Sequence, residues 1–243
     1  MKVDFCVPIY NEEKILKKSI IRLYEFLSKE NLSYDWQIVI VDNGSRDSSK
    51  KIARELSNKK IKLHEVKNPG RGRAIREYWL ISEADYVSYM DVDLAVDLKH
   101  IPLLISPLIN KEADISIGSR LLPESIIERN IFREAVSQSC NILYRLFFYK
   151  DVSDTQCGFK AIDKKVFQSI SGNFFDNQWF FDTELITYAK YFKYKLKEIP
   201  VEWSENRFDK RSSKVKIFKD SYKHFVNFLR LKRQLKKIKQ ANP

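Results

Sequence analysis

The chain has 243 residues, 44% of them hydrophobic and 31% charged, enough apolar mass for one folded domain and too much for wholesale disorder. Lysine and arginine number 44 against 32 aspartates and glutamates, a net charge of +12, and ten of those bases with a single acid (Asp220) fall between Lys214 and Pro243. The excess charge therefore belongs mainly to a basic tail on a near-neutral body. Cys6, Cys140 and Cys157 are far apart and in no ligand spacing, which argues against a disulfide scaffold.

Val3 to Ile9 reads as a strand that begins at once, with no leader pattern before it. Ile15, Leu16, Ile20, Leu23 and Leu27 recur at helical spacing from Lys14 onward. Gln37 to Val41 is an unbroken apolar run suited to a strand buried on both faces, followed by a charged helix to about Ser57. Ile61 to Val66 is a further strand, Asn68-Pro69-Gly70 a turn, Gly72 to Ser82 a helix and Tyr86 to Met90 a strand. The most apolar stretch, Ile101 to Ile109, is short and interrupted by Pro102 and Pro107, far below the ~18 residues of a membrane span. Beyond it the pattern predicts strands at Asp114–Ile117, Gly158–Ile162 and Lys195–Val201, and helices at Phe132–Tyr149 and Phe181–Phe192. Strand and helix alternate with short connections, the pattern of an α/β protein with a mostly parallel sheet. A polar boundary near Glu205 divides residues 1–205 from a linker and basic amphipathic helix at 206–243.

In such sheets ligands bind beyond the carboxyl ends of the strands. Polar clusters stand there: Tyr10-Asn11-Glu12, Asp42-Asn43-Gly44-Ser45 and Asp91-Val92-Asp93. Neither a G-x-G-x-x-G fingerprint nor a P-loop occurs, which disfavours a dinucleotide fold and a P-loop NTPase. Two carboxylates one residue apart after an apolar strand can converge on one hard cation, Mg²⁺ or Mn²⁺, that also holds substrate phosphates. A solvated turn is the plainer reading of a lone D-x-D; its neighbours at the same sheet edge favour the metal.

The segments VPIYNEE (Val7–Glu13), VDNGSRD (Val41–Asp47), MDVDL (Met90–Leu94) and GSR (Gly118–Arg120) resemble the motifs of family 2 glycosyltransferases with the GT-A fold. DTQCGFK (Asp154–Lys160) and FFDTEL (Phe180–Leu185) are similar to the dolichyl-phosphate glucose synthase branch, relatives of the mannose synthases. The resemblance implies that Pro8, Tyr10, Glu12 and Asp42 line the nucleobase and ribose pocket, that Arg73 nears the nucleotide, and that Asp91 and Asp93 hold the metal on the diphosphate. Arg120, with Arg133 and Ser137 on the following helix, would clamp the acceptor phosphate, and Lys214 would join them from a loop over the site. Asp182 stands where other members place a base, and Glu184 and Gln156 would touch the sugar. The mannose synthases often carry a third polar ligand where this chain has Ala95, which favours the glucose branch.

A phosphomonoester acceptor is already ionised near neutral pH, so alignment and stabilisation of the leaving diphosphate dominate, with in-line attack and inversion. The expected enzyme is thus an inverting, metal-dependent glycosyltransferase that takes UDP-glucose in preference to GDP-mannose. Its acceptor is a polyprenyl or dolichyl phosphate, and it works peripherally on the cytoplasmic face of a membrane reached through its basic helix. The alternatives are a family 2 enzyme acting on a saccharide hydroxyl, with Asp182 as base, and a non-catalytic membrane- or nucleic-acid-binding module. Nucleic acid ranks last, because no recognition motif accompanies the charge.

Overall fold

A computed structural model of the chain describes residues 1–128, 131–205 and 217–241, the side chains of 131–137, 217–222 and 241 excepted. In chain order its elements are β1 (Lys2–Ile9), α1 (Leu16–Lys29), β2 (Asp35–Asp42), α2 (Ser49–Leu56), β3 (Ile61–Glu65), α3 (Arg71–Ile81), β4 (Tyr86–Met90), α4 (Ile101–Ile109), β5 (Ile115–Ser119), β6 (Ile126–Glu128), α5 (Ile131–Phe147), β7 (Phe159–Asp163), α6 (Lys164–Ile170), α7 (Phe181–Tyr191), β8 (Leu196–Pro200), β9 (Glu202–Ser204) and α8 (Ile217–Ala241). Seven strands form one sheet in the order β3-β2-β1-β4-β7-β5-β8, and β6 pairs with β9 beside it. All neighbours in the large sheet are parallel except β7, which runs antiparallel between β4 and β5.

The continuous apolar strands are explained by burial on both faces. One face of the sheet packs on Leu16, Ile20 and Leu23 of α1 and Ile101, Leu104 and Ile105 of α4. The other packs on Ala74, Ile75 and Trp79 of α3, Leu185 and Ile186 of α7, and Phe228 and Leu231 of α8. The single acid inside β1, Asp4, is fully buried, and its Oδ2 accepts from Tyr78 Oη of α3 at 2.7 Å and from Ser82 Oγ just past that helix at 2.5 Å, while Oδ1 has no hydrogen-bond partner among the described residues.

Two local features are instructive. Ile101–Ile109 is a helix despite its prolines. Pro102 lies in the first turn, where the absent N–H has no intrahelical partner to lose, and the helix stops soon after Pro107 with Lys111 at φ 60°. Second, the predicted apolar stripe of the tail splits into two faces. Phe228 and Leu231 point into the body, with Phe228 against Phe147 and Phe180, while Phe225, Val226 and Leu229 remain exposed. Among the described residues no helix is long and apolar enough to cross a membrane.

Candidate active site

The chain turns from one half of the sheet to the other between β1 and β4, whose carboxyl ends lie side by side. Into that crevice come the loop after β1, the loop after β2 and the Asp91-Val92-Asp93 turn after β4. The first two loops are tied together. Ser45 Oγ accepts from Asn11 N at 3.0 Å, Asn11 Oδ1 from Arg46 N at 2.8 Å, and Ser49 Oγ from Glu12 N at 2.6 Å. Asn11 takes φ 53°, a left-handed conformation that asparagine tolerates. The result is a fixed wall carrying exposed Tyr10, buried Glu12 and buried Asp42, whose Oδ1 accepts from Ser45 N at 3.1 Å. Pro8 lies within β1, paired with Val41. Asn43 accepts from Gly70 N and so joins this wall to the start of α3.

Asp91 and Asp93 close the other side. Asp93 is half-buried and its Oδ1 accepts from Ala95 N at 3.2 Å. Asp91 lies directly over Gly158, where any Cβ would collide with its carboxylate. That cradle, and a donor set made only of oxygen, fit a hard divalent cation such as Mg²⁺ or Mn²⁺. Among the described residues no group of three or more acidic, histidine or cysteine side chains could hold an ion unaided, so oxygens of water or substrate would have to complete the shell. Beside the pair, Ala95, Gly158, Phe159 and Trp203 line a pocket with Asp91. Gly158→Ala is expected to push Asp91 aside and cut catalytic turnover about 100-fold, since displacement of a reacting group by about 1 Å costs that much; steady-state kinetics beside an unchanged circular dichroism spectrum checks it.

Arg71, a residue the sequence reading did not single out, reaches Asp91 and the buried Asp182. Arg71 Nη2 donates to Asp91 Oδ1 and Nη1 to Asp182 Oδ2, each at 2.8 Å, and its guanidinium sits between the rings of Tyr89 and Trp179 at 5.0 and 4.9 Å. Arg73 is half-buried and gives its backbone N–H to Asn177 O at 3.2 Å. The segment carries two arginines in R-G-R, and the sequence has no signal for which one faces the crevice.

Asp182 is 4% exposed and surrounded by donors: Arg71, Lys160 Nζ at 3.0 Å, and the Tyr89 hydroxyl. Burial pushes its carboxyl up, but the Lys160 and Arg71 charges outweigh that and hold it below the ordinary carboxylate range. A group held ionised by two cations is a poor general base. Fully buried Lys160, a residue that sequence reasoning passed over, is a member of this cluster through Asp182, Tyr89 and Cys157 O.

Glu184, read from sequence as a sugar contact, is corrected by its surroundings. Residues two apart on a helix face different ways, and Glu184 is fully buried, accepting from Phe175 N at 2.9 Å and Asp176 N at 3.0 Å. Both oxygens clamp the loop that precedes α7. Burial raises its pKa to about 8. A raised folded-state value means stability fully present below the ordinary 4.5 and lost as pH rises through about 8. The melting temperature of the wild type minus that of Glu184→Gln should therefore shrink as pH climbs from about 5 to about 9; thermal melts across that range check the sign.

Arg120 is 8% exposed at the end of β5 and forks onto Asp154, Nε to Oδ2 at 2.7 Å and Nη2 to Oδ1 at 3.0 Å. Burial raises the Asp154 pKa, but the guanidinium prevails and drives it far down. Asn141 of α5 donates to Asp154 Oδ1 at 3.2 Å and accepts from Thr155 N at 2.9 Å, so helix, loop and arginine form one unit. The Asp91 charge also acts on Arg120, in addition to its direct ion pair with Arg71. Half-buried Gln156 gives its N–H to Asp154 Oδ1 at 2.9 Å and its side chain meets the Cys140 thiol. Cys157 is buried, its thiol pushed up to about 12, and unsuited to nucleophilic work. Arg133 and Ser137 belong to α5, but their side chains, like the whole of Lys214, lie outside the described residues.

Residues 4–171 match the profile of glycosyl transferase family 2. A dolichyl-phosphate beta-glucosyltransferase (ALG5D) of Trichomonas vaginalis is 34% identical over 229 residues, which span 88% of this chain and 68% of that protein. Glycosyltransferase AglD of Haloferax volcanii is 29% identical over 223 residues, 90% of this chain but 35% of the relative, so the chain spans about a third of that protein's length. Among solved structures, glucosyl-3-phosphoglycerate synthase of Mycobacterium tuberculosis, in complex with Mn²⁺, UDP-glucose and phosphoglyceric acid, superposes with a TM-score of 0.72 over 95% of this chain and 79% of that one. At 15% identity that likeness is one of fold, and the fold is GT-A.

Proposed function

The chain belongs to glycosyl transferase family 2, and from that premise we propose that it transfers glucose from UDP-glucose to a polyprenyl phosphate of the dolichyl type, with inversion at the anomeric carbon. The observation that carries the choice of acceptor is the enclosure of Asp182. A sugar hydroxyl needs a base to become a nucleophile, and the carboxylate at the expected base position is spent on Arg71, Lys160 and Tyr89. A phosphate monoester arrives ionised and needs none. UDP-glucose is preferred to GDP-mannose because the ordered motifs, and Ala95 in place of a third polar ligand, point to the glucose branch.

In this reading Pro8, Tyr10, Glu12 and Asp42 hold the nucleoside, and Arg73 lies near it. Asp91 and Asp93 hold Mg²⁺ or Mn²⁺ on the diphosphate, where the ion offsets the charge that develops on the leaving group. Arg120, braced by Asp154, presents the cationic face to the incoming phosphate together with Arg133, Ser137 and Lys214; Gln156 stands beside it toward the sugar. An oxygen of the lipid phosphate attacks the anomeric carbon, the bond from that carbon to the nucleotide's β-phosphate oxygen breaks, and UDP leaves with the electron pair. Residues 1–205 form the catalytic unit, and 206–243 serve as linker and membrane contact on the cytoplasmic face. The exposed Phe225, Val226 and Leu229, followed along α8 by exposed Arg233, Lys236 and Lys237, suit an anionic bilayer surface.

The test is transfer by the purified protein with Mn²⁺, a short polyprenyl phosphate and, separately, radiolabelled UDP-glucose and GDP-mannose. Label in the organic phase from UDP-glucose supports the proposal; label from GDP-mannose alone overturns the sugar. Absence of organic-phase label from either donor, with nucleotide-sugar binding intact, overturns the acceptor.

A further inference from the structure

The Arg71 fork has one tine on a buried anchor and the other on Asp91, one of the two carboxylates suited to a divalent cation. Its position is set from several sides. Asp182 holds Nη1, Lys160 and Tyr89 hold Asp182, and the guanidinium is packed between the Tyr89 and Trp179 rings. Gly72, next in the chain, has no room for a side chain, since a Cβ there would stand 2.5 Å from Phe181 Cβ and 2.7 Å from Gln178 O, so the start of α3 sits hard against the start of α7. The positive charge beside Asp91 is thus built in.

A fixed cation next to a metal-binding carboxylate has two opposite effects. It repels a bare divalent ion, and it attracts any ligand whose net charge is negative. A nucleoside diphosphate carries about three negative charges near neutral pH, so its complex with one divalent cation is still an anion, and the two effects select between these forms. Resting on the donor reading above, we propose that Arg71 is the charge selector of the site: it disfavours a bare divalent cation at Asp91 and Asp93 and favours the anionic complex of that cation with a nucleoside diphosphate. Arg71 is then a positioning residue for the donor as its metal complex, and Lys160 is the counter-charge that lets Asp182 anchor it.

Arg71→Met tests this, because methionine keeps contact with the two rings and Asp182 retains Lys160 and Tyr89 as partners. Mn²⁺ binding without nucleotide is followed by electron paramagnetic resonance of the free ion, and UDP binding without metal by calorimetry. In Arg71→Met, Mn²⁺ should bind about tenfold more tightly and UDP about tenfold more weakly, the sign opposite for the two because their charges are opposite. Arg71→Lys, which keeps the charge, should stay close to the wild type for Mn²⁺. A role confined to packing would weaken both ligands together, and that result, or unchanged Mn²⁺ affinity, overturns the selector. Failure of the wild type to bind UDP even with Mn²⁺ overturns the donor reading itself, and the selector with it.

Discussion

Asp182→Ala is expected to destabilise the fold by about 3–5 kcal/mol, because it leaves two cations, Arg71 and Lys160, buried without their shared partner. Lys160 is fully buried and Arg71 9% exposed, so water cannot replace the lost carboxylate. Asp182→Asn keeps the shape and one acceptor for the Tyr89 hydroxyl and should cost less, about 1–3 kcal/mol. Urea denaturation of the three proteins measures both. The acid limb tells the same story: a carboxylate held below its ordinary 3.8 gives stability that is present above that value and lost as pH falls through the folded one. A loss below about 1 kcal/mol in the alanine variant would show that the cluster is not a structural ion pair. Were Asp182 a base instead, the asparagine variant would stand at full stability and lose transfer alone.

That contrast also marks what the sequence could carry. Strand ends were legible because burial on both faces writes unbroken apolar runs, as in Gln37–Val41, and because polar residues follow each run at the sheet edge. Asp91 and Asp93 were legible for the same reason. The partners of Asp182 were not, since Arg71, Tyr89 and Lys160 come from α3, β4 and β7 and meet only when β7 enters the sheet antiparallel between β4 and β5. No local pattern announces that insertion. Glu184 was read as a sugar contact, whereas it lies two residues from Asp182 on α7, where helix geometry turns it away from that residue, and its oxygens clamp Phe175 and Asp176. The tail's stripe was legible as amphipathic, but its split into a docked face and an exposed one depends on Phe147 and Phe180 of other elements.

Asp93→Ala should show the reverse of Asp182→Ala: transfer lowered about 1,000-fold or more through the lost metal–diphosphate contact, with stability changed by less than about 1 kcal/mol. Asp93 is half-buried, unlike fully buried Lys160, and accepts a local bond from Ala95 N, so its replacement is expected to disturb the fold less than that of Asp182. Asp91→Ala is a less clean probe, because Asp91 is also the second partner of Arg71. Single-turnover kinetics with saturating donor, set beside thermal melts, separates the two roles. Transfer retained at wild-type level in Asp93→Ala would mean that the leaving diphosphate is stabilised without this carboxylate. The work would then fall to Arg71 and Arg120, the two guanidinium groups whose charges interact with Asp91, and the metal reading of the D-x-D turn would give way to an arginine clamp.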